Sequence, residues 1–199
     1  MANTITRLLP FRQYSEHDVI NMYALDAATG QAGSLVRVSE ADLNKETVEL
    51  VNYGFTNQMG HATSLYPQVP LKLTKVTATG QAVLGIMLRD VRTEDENGEN
   101  LLFYPQKKDE LQCVVSGEAV PVATRGLFMF NASGLAGGVV PAINSYAIPV
   151  ADGLLTGIAS PSATQKEYSV GKWIATGSRA SVSDTDAFEG NYALLKLEL

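Results

Sequence analysis

The chain has 199 residues and a formal net charge of −6, and 45% of its residues are hydrophobic. This length and apolar content suffice for a sizeable core, whereas charged residues, at 18%, are too sparse for a disordered chain. An acidic chain without a cluster of lysines and arginines is a poor candidate for direct binding to nucleic acid, and no apolar run approaches the roughly 18 residues of a membrane helix.

Residues 1–17 are predicted to form an N-terminal arm, because polar and apolar residues mix there without a sustained period. A frayed terminus and an arm that docks on a partner both fit this pattern. In the second case the partner-binding residues are Leu8, Leu9, Pro10 and Phe11. We then expect deletion of residues 1–11 to weaken attachment and to leave the fold intact. The segment lacks the long apolar stretch of a secretory leader, so we expect synthesis and folding in a cytoplasm.

Residues 18–199 are predicted to form a β-rich body, because short apolar or alternating runs are separated by glycine, proline, asparagine and aspartate. No amphipathic helix is evident, and polar loops are expected at 92–100 and 176–190. A further strand is favoured within 45–55, after a turn. The other predicted strands are 19–25, 34–38, 69–77, 82–88, 101–104, 111–115, 119–123, 127–130, 154–159, 168–175 and 192–199.

This pattern predicts an all-β fold, a small barrel or sandwich of short antiparallel strands with long loops and an extended N-terminal arm. A division of the body into two β-subdomains near 105–116 is a further candidate. Gly85, inside the apolar run 82–88, predicts a bulge or close backbone packing. The segment SGEAVPVATRGLFMF at 116–130 predicts a hairpin, with a tight turn at 124–126 between its two strands.

Few side chains suited to catalysis or metal binding stand in a recognisable pattern. The two histidines, His17 and His61, have no zinc-ligand spacing around them, and no nucleophile elbow or phosphate-binding loop occurs. Cys113 lies in an apolar run and is interpreted as a buried small hydrophobe. Asp184 and Asp186 lack the full spacing of a calcium loop. We therefore expect a protein without catalysis, cofactor or metal.

Small-residue turns precede valines at 30–38 (GQAGSLVRV) and 134–140 (GLAGGVV). An apolar VLGI strand lies within 82–88, and GEAVPVATRG spans 117–126. A strand that begins with VGK and a final aliphatic strand follow at 170–175 and 193–199. In these segments the chain, from residue 19 to residue 199, resembles the capsid decoration (head-stabilising or cement) proteins of tailed bacteriophages.

The resemblance implies a virion structural protein that binds the outside of a phage capsid and stabilises contacts between capsomers. It implies the major capsid protein as partner, a homotrimer on the shell, a location on the capsid surface and no cofactor. An N-terminal arm that becomes ordered on the shell is a common device in these proteins, and here it implies docking of residues 1–11 by strand addition.

Two other classes of function stay open. The chain is also compatible with another phage virion β-protein, from a tail, fibre or baseplate, because composition does not separate these from decoration proteins. A carbohydrate-binding or hydrolytic β-sandwich is the third hypothesis. A sugar-binding module would expose several aromatic side chains in one row, and a hydrolase would bring His17 or His61 together with an acid in a cleft.

Overall fold

The computed structural model describes residues 7–41, 69, 71–180 and 190–199. The predicted strand within 45–55, His61, Asp184 and Asp186 lie outside these residues. The described chain contains fourteen β-strands: β1 (Leu8–Gln13), β2 (Val19–Ile20), β3 (Ala24–Leu25), β4 (Leu35–Glu40), β5 (Lys72–Lys75), β6 (Gly85–Met87), β7 (Asp90–Arg92), β8 (Cys113–Val115), β9 (Val122–Ala123), β10 (Arg125–Asn131), β11 (Tyr146–Pro149), β12 (Leu155–Ile158), β13 (Gly171–Arg179) and β14 (Gly190–Glu198).

The strands form three sheets. The first sheet has the order β1-β10-β14-β13-β11-β12, and all its pairs are antiparallel. The second sheet has the order β2-β9-β6-β4-β5-β3, in which only the β3–β5 pair is parallel, and the small third sheet is the parallel pair β7–β8. The prediction of a mostly antiparallel β-protein is therefore confirmed, and the strands that the structure describes do not close into a barrel.

Side chains of the second sheet point alternately into two different cores, as expected for residues that alternate along a strand. On β4, Leu35 packs in the main core with residues of the first sheet, whereas Val36 packs in a second core with Val114 of β8. On β6, Ile86 packs in the main core and Met87 packs in the second core. Burial on both faces explains the continuous apolar run at 82–88. The main core also contains residues from both sides of the candidate subdomain break at 105–116.

Part of the predicted N-terminal arm is a strand of the first sheet. β1 pairs with β10, with Leu8 opposite Phe130 and Arg12 opposite Phe128, and the ladder is irregular between Leu8 and Arg12. Pro10, which has no N–H group to donate, lies in this irregular stretch at the sheet edge. Residues 8–13 are therefore built into the body and do not form an extended appendage, because the main core buries Leu8.

The two strands within 116–130 exist, but the prediction that they form a hairpin is wrong. β9 pairs with β2 and β6 in the second sheet, whereas β10 pairs with β1 and β14 in the first. The chain passes from one sheet to the other at Thr124, between β9 and β10, and Gly126, the second residue of β10, has a φ of 141°. A tight turn was expected from the residue types at 124–126, but turn residues do not specify which sheet receives the next strand.

Short helices replace two of the predicted β or loop segments. Residues 101–104 were predicted as a strand, but Leu101–Phe103 is a 3-10 turn capped by the side chain of Asn100, and helix α1 (Pro105–Glu110) follows it. Helix α2 (Ala163–Glu167) lies between the predicted strands 154–159 and 168–175; its N-cap residue is Ser162, which forms a capping box with Gln165. These helices are short and leave the β character of the fold unchanged.

Candidate functional site

The first sheet has one face on the main core and one face directed away from it. On β10, Phe128 and Phe130 belong to the main core, as do the alternate residues Ala193, Leu195 and Leu197 on β14. The side chains between these positions point to the opposite face. We call this surface the outer face; its residues are Gln13, Arg125, Leu127, Met129, Asn131, Tyr146, Ile158, Lys172, Ala175, Gly177, Arg179, Tyr192, Leu194, Lys196 and Glu198.

The strand register arranges the outer face in rows that run across the sheet. One row crosses all six strands of the sheet, in the order Gln13, Leu127, Lys196, Lys172, Tyr146 and Ile158. Beside it lies a second row of Met129, Leu194 and Ala175. Leu127, Met129 and Leu194 are partly exposed and belong to none of the core clusters of the described chain. The outer face therefore has an apolar centre that is partly buried and keeps some exposure to solvent.

Two lysines stand directly opposite each other on this face. Lys172 of β13 is the register partner of Lys196 of β14. The ammonium group of Lys172 lies 4.9 Å from the ring centre of Tyr146, and Lys196 Nζ is 3.2 Å from Glu198 Oε1. Like charges directly opposed destabilise an antiparallel pair, and these two partners relieve the repulsion only in part.

Two of the four predicted partner-binding residues are buried, and the other two are exposed. Leu8 and Leu9 are buried, with 1% and 6% of their surface exposed, so the chain's own interior already occupies these side chains. Pro10 and Phe11 are exposed, Phe11 by 48%. Nearby, Tyr14 is partly exposed and stacks on Phe128 with ring centres 5.8 Å apart.

A groove of about 1040 Å³ lies between the end of β1 and helix α1. Its lining includes three cations and four carboxylates: Arg12, Glu16, Arg89, Asp90, Lys108, Asp109 and Glu118. Among these, Lys108 Nζ pairs with Glu118 Oε1 at 3.1 Å. Mixed charges of this kind define no charge preference for a ligand.

Cys113 borders this groove but is buried, as the sequence predicted. Burial raises the pKa of the Cys113 thiol, against an opposing effect of Arg92. The Sγ atom donates to the carbonyl oxygen of Lys108 at 3.7 Å. A thiol with a raised pKa is protonated at neutral pH and is a weak nucleophile, so the interpretation as a small core residue fits the geometry. His17 is exposed in a 3-10 turn capped by Ser15.

A smaller cavity of about 400 Å³ is lined by a network of ion pairs. Arg7 Nη2 donates to Asp152 Oδ2 at 2.8 Å, and Lys75 Nζ donates to Asp152 Oδ1 at 3.3 Å. On the opposite wall, Arg92 Nη2 donates to Asp90 Oδ2 at 2.9 Å. Because every carboxylate here has a partner, the network has the character of a structural clamp.

Across the described ranges, no three histidine, cysteine, aspartate or glutamate side chains group closely enough to hold a metal ion. None of the helices in this part of the chain is long and apolar enough to cross a membrane.

No protein family model matches the chain, and no match is found among the curated proteins or the solved structures. The structure itself defines the class, a mostly antiparallel β-protein with a few short helices.

The outer face was not among the predicted sites, although the sequence contains a signal for it. The run Leu127–Phe128–Met129–Phe130 is apolar at every position, whereas a strand with one solvated face alternates between apolar and polar residues. The register of the neighbouring strands, which brings Leu194 beside Met129, is a long-range property that no local pattern contains.

Proposed function

We propose that this chain is a virion structural protein that binds the outside of a phage capsid and stabilises contacts between capsomers. Its partner is the major capsid protein, it acts as a homotrimer on the shell, and it resides on the capsid surface without catalysis or a cofactor. The body is sandwich-like, with the first and second sheets packed across the main core.

The observation that carries the proposal is the outer face. It combines an apolar centre of Leu127, Met129 and Leu194 with the opposed pair Lys172 and Lys196. Contiguous apolar surface bordered by polar groups is typical of sites where proteins bind other macromolecules. A binding role accounts for this face, whereas a site for a small substrate would need converging polar groups in a concave pocket.

Five of the six segments that carry the resemblance to decoration proteins contribute neighbouring strands, whereas 134–140 contributes no strand. The segments 30–38, 82–88 and 117–126 contribute β4, β6 and β9, which are adjacent in the second sheet. The segments 170–175 and 193–199 contribute the adjacent strands β13 and β14 of the first sheet. The resemblance thus concerns the framework of both sheets, which supports a common architecture.

The physical basis of the proposed role is linkage. A protein that binds the assembled shell but not the separate capsomers stabilises the shell against disassembly by the free energy of that binding. Each contact can be weak, because a trimer that engages several subunits at once binds with an increased effective concentration.

No observation favours a sugar-binding module. Among the residues that the structure describes, the large exposed aromatic side chains lie on two separate segments, Phe11 and Tyr14 at β1 and Phe103 and Tyr104 before α1, and they do not form one row in the strand register.

The test is to image shells of the phage that encodes the chain, prepared without it, before and after addition of the purified protein. We expect added density at regular positions on the capsid faces. We also expect that a higher temperature or a higher chelator concentration is needed to disrupt these shells. Density confined to a tail, fibre or baseplate would replace the proposal by the other virion role, and an absence of density on any virion part would refute both.

A further inference from the structure

We propose that the outer face is the docking surface of the chain, and that its occupant is an acidic, partly apolar patch of the shell protein. This inference rests on the proposed function and deepens it, because it assigns the face and the chemistry of the partner. The charges and the exposed side chains of the face carry the argument.

First, the charge of the outer face differs in sign from the charge of the whole chain. The whole chain has a formal charge of −6, yet the outer face has four cations, Arg125, Lys172, Arg179 and Lys196, and one carboxylate, Glu198. Glu198 is the register partner of Arg125 and also lies 3.2 Å from Lys196, so one carboxylate serves two cations. The face therefore has an excess of positive charge in an acidic molecule, and a partner with carboxylates complements it.

The second step is the position of the lysines. Lys172 and Lys196 occupy directly opposed positions, an arrangement that weakens an isolated sheet. Lys172 lies against Tyr146 at 4.9 Å and has no carboxylate partner within the described part of the chain, while Lys196 is about half exposed. A carboxylate placed above the two lysines by a partner would interact with both ammonium groups at once. Binding would then relieve the repulsion between the two lysines, and this relief would add to the free energy of binding.

The third step separates a protein partner from other polyanions. Leu127, Met129 and Leu194 lie beside the lysines and are partly exposed. A protein interface has such an apolar centre with charges around it. Nucleic acid is bound by many cations along its phosphates, and four cations beside apolar side chains do not suit that ligand.

The experiment compares binding to shells that lack the chain, measured by co-sedimentation over a range of protein concentrations. The variant Lys172→Gln/Lys196→Gln removes both opposed charges. The control Arg89→Gln/Lys166→Gln removes two exposed cations outside the outer face, so that the net charge is the same in both variants. Urea unfolding of each purified variant verifies that both are folded before binding is measured.

We expect the outer-face variant to bind roughly tenfold more weakly than the wild type, and its binding to depend less steeply on salt. The control variant should bind like the wild type. A third variant, Met129→Gln, should weaken binding without changing the salt dependence, because it alters only the apolar centre.

Three outcomes overturn the inference in distinguishable ways. If the wild type does not bind shells, the proposed function and the docking face both fail. If the wild type binds and the outer-face variant binds equally well, the docking face is wrong while the capsid role stands. If the lysine pair instead mediates binding to duplex DNA or to vesicles of an anionic lipid, and not to shells, the occupant belongs to another class.

Discussion

Arg7 shows how a single residue joins the two sheets. Its side chain is 9% exposed, and Nη1 donates to Ser34 Oγ and to the carbonyl oxygen of Asp152, each at 3.0 Å. Asp152 has a φ of 58°, in the left-handed region, and begins a turn that places its carboxylate toward both Arg7 and Lys75. The buried guanidinium thus depends on this one turn for its counter-charge.

The pKa of Asp152 is lowered from its ordinary value. Partial burial acts to raise the pKa, but the hydrogen bond from Arg7 and the charge of Lys75 outweigh it. A carboxyl group whose pKa is lower in the folded state contributes stability that is complete above its unfolded pKa of about 3.9. This contribution is lost as the pH falls through the folded pKa.

The substitution Asp152→Asn tests this contribution while keeping a residue that tolerates the left-handed backbone. We expect a loss of about 1 kcal/mol in the free energy of unfolding at neutral pH, near the lower end for a buried cation that loses its partner, because the Asp152 side chain is 56% exposed. The difference from the wild type should be constant down to about pH 5 and should shrink below about pH 4.

Urea unfolding at pH 7, 5 and 3 measures this difference. Asp109→Asn, at an exposed position of α1, is the matched control and should leave the stability unchanged. A difference for Asp152→Asn that stays the same at pH 3 would show that its carboxylate charge is not responsible.

At the scale of elements, the decisive feature is the corner between the two sheets. β1 and β10 pair in the first sheet, and β2 and β9 continue the same antiparallel pairing in the second. Thr124 donates through its N–H and its hydroxyl to the carbonyl oxygen of Asp18, at 2.9 Å and 3.0 Å. The segments 8–20 and 122–130 therefore form one ribbon that bends from sheet to sheet.

Gly126 permits the bend for two reasons. Its φ of 141° is rarely adopted by other residues, and a Cβ at this position would lie 2.6 Å from the carbonyl oxygen of Gln13 and 2.9 Å from Tyr14 Cβ. We expect Gly126→Ala to reduce the free energy of unfolding by about 2–5 kcal/mol, through backbone strain and steric overlap together.

Gly98 provides the control for this substitution. It also has a positive φ, of 81°, but no atom lies within 4 Å of a Cβ built there. Gly98→Ala should therefore cost only the backbone term, about 1 kcal/mol. Equal losses for the two variants in urea unfolding would mean that the close approach at the corner does not matter.

The strands were predictable where a local pattern defines them. The run of residues 192–199 predicted β14, and the run 154–159 predicted β12. Helix α2 had a local signal, the spacing of Ser162 and Gln165, which the strand-rich context concealed. The parallel pair β7–β8 and the corner at Gly126 could not be predicted, because they depend on which distant strands pair.

The candidate site was harder to predict for the same reason. Leu8 and Phe11 were both named as partner-binding residues, but the burial of Leu8 follows from its position opposite Phe130, more than a hundred residues away in the chain. The outer face likewise depends on register, since Lys172 and Lys196 become neighbours only when β13 and β14 pair.

At the scale of the whole molecule, the N-terminal segment holds the layers together. Residues 8–20 contribute a strand to each six-stranded sheet, so they close the ribbon that connects the two. Leu8 packs in the main core, and Arg7 links this segment to the turn at Asp152. This position changes the expectation for a truncated chain.

Deletion of residues 1–11 should strongly destabilise the isolated protein, contrary to the expectation for a free arm. It removes Leu8 and Leu9 from the interior, and the loss of one such side chain typically costs about 2–5 kcal/mol. The sum approaches the total stability of a typical domain, about 5–15 kcal/mol. We expect the truncated chain to be unfolded or to unfold at a much lower urea concentration, measured by circular dichroism.

Two further variants separate the structural part of this segment from a role in binding. A chain that begins at Arg7 keeps β1 and should remain folded, and Phe11→Ser, at a side chain that is 48% exposed, should unfold like the wild type. If Phe11 contributes to attachment, Phe11→Ser weakens co-sedimentation with shells while its stability is unchanged. If the chain without residues 1–11 is as stable as the full chain, β1 does not stabilise the body. That result would support the N-terminal arm that was predicted from the sequence.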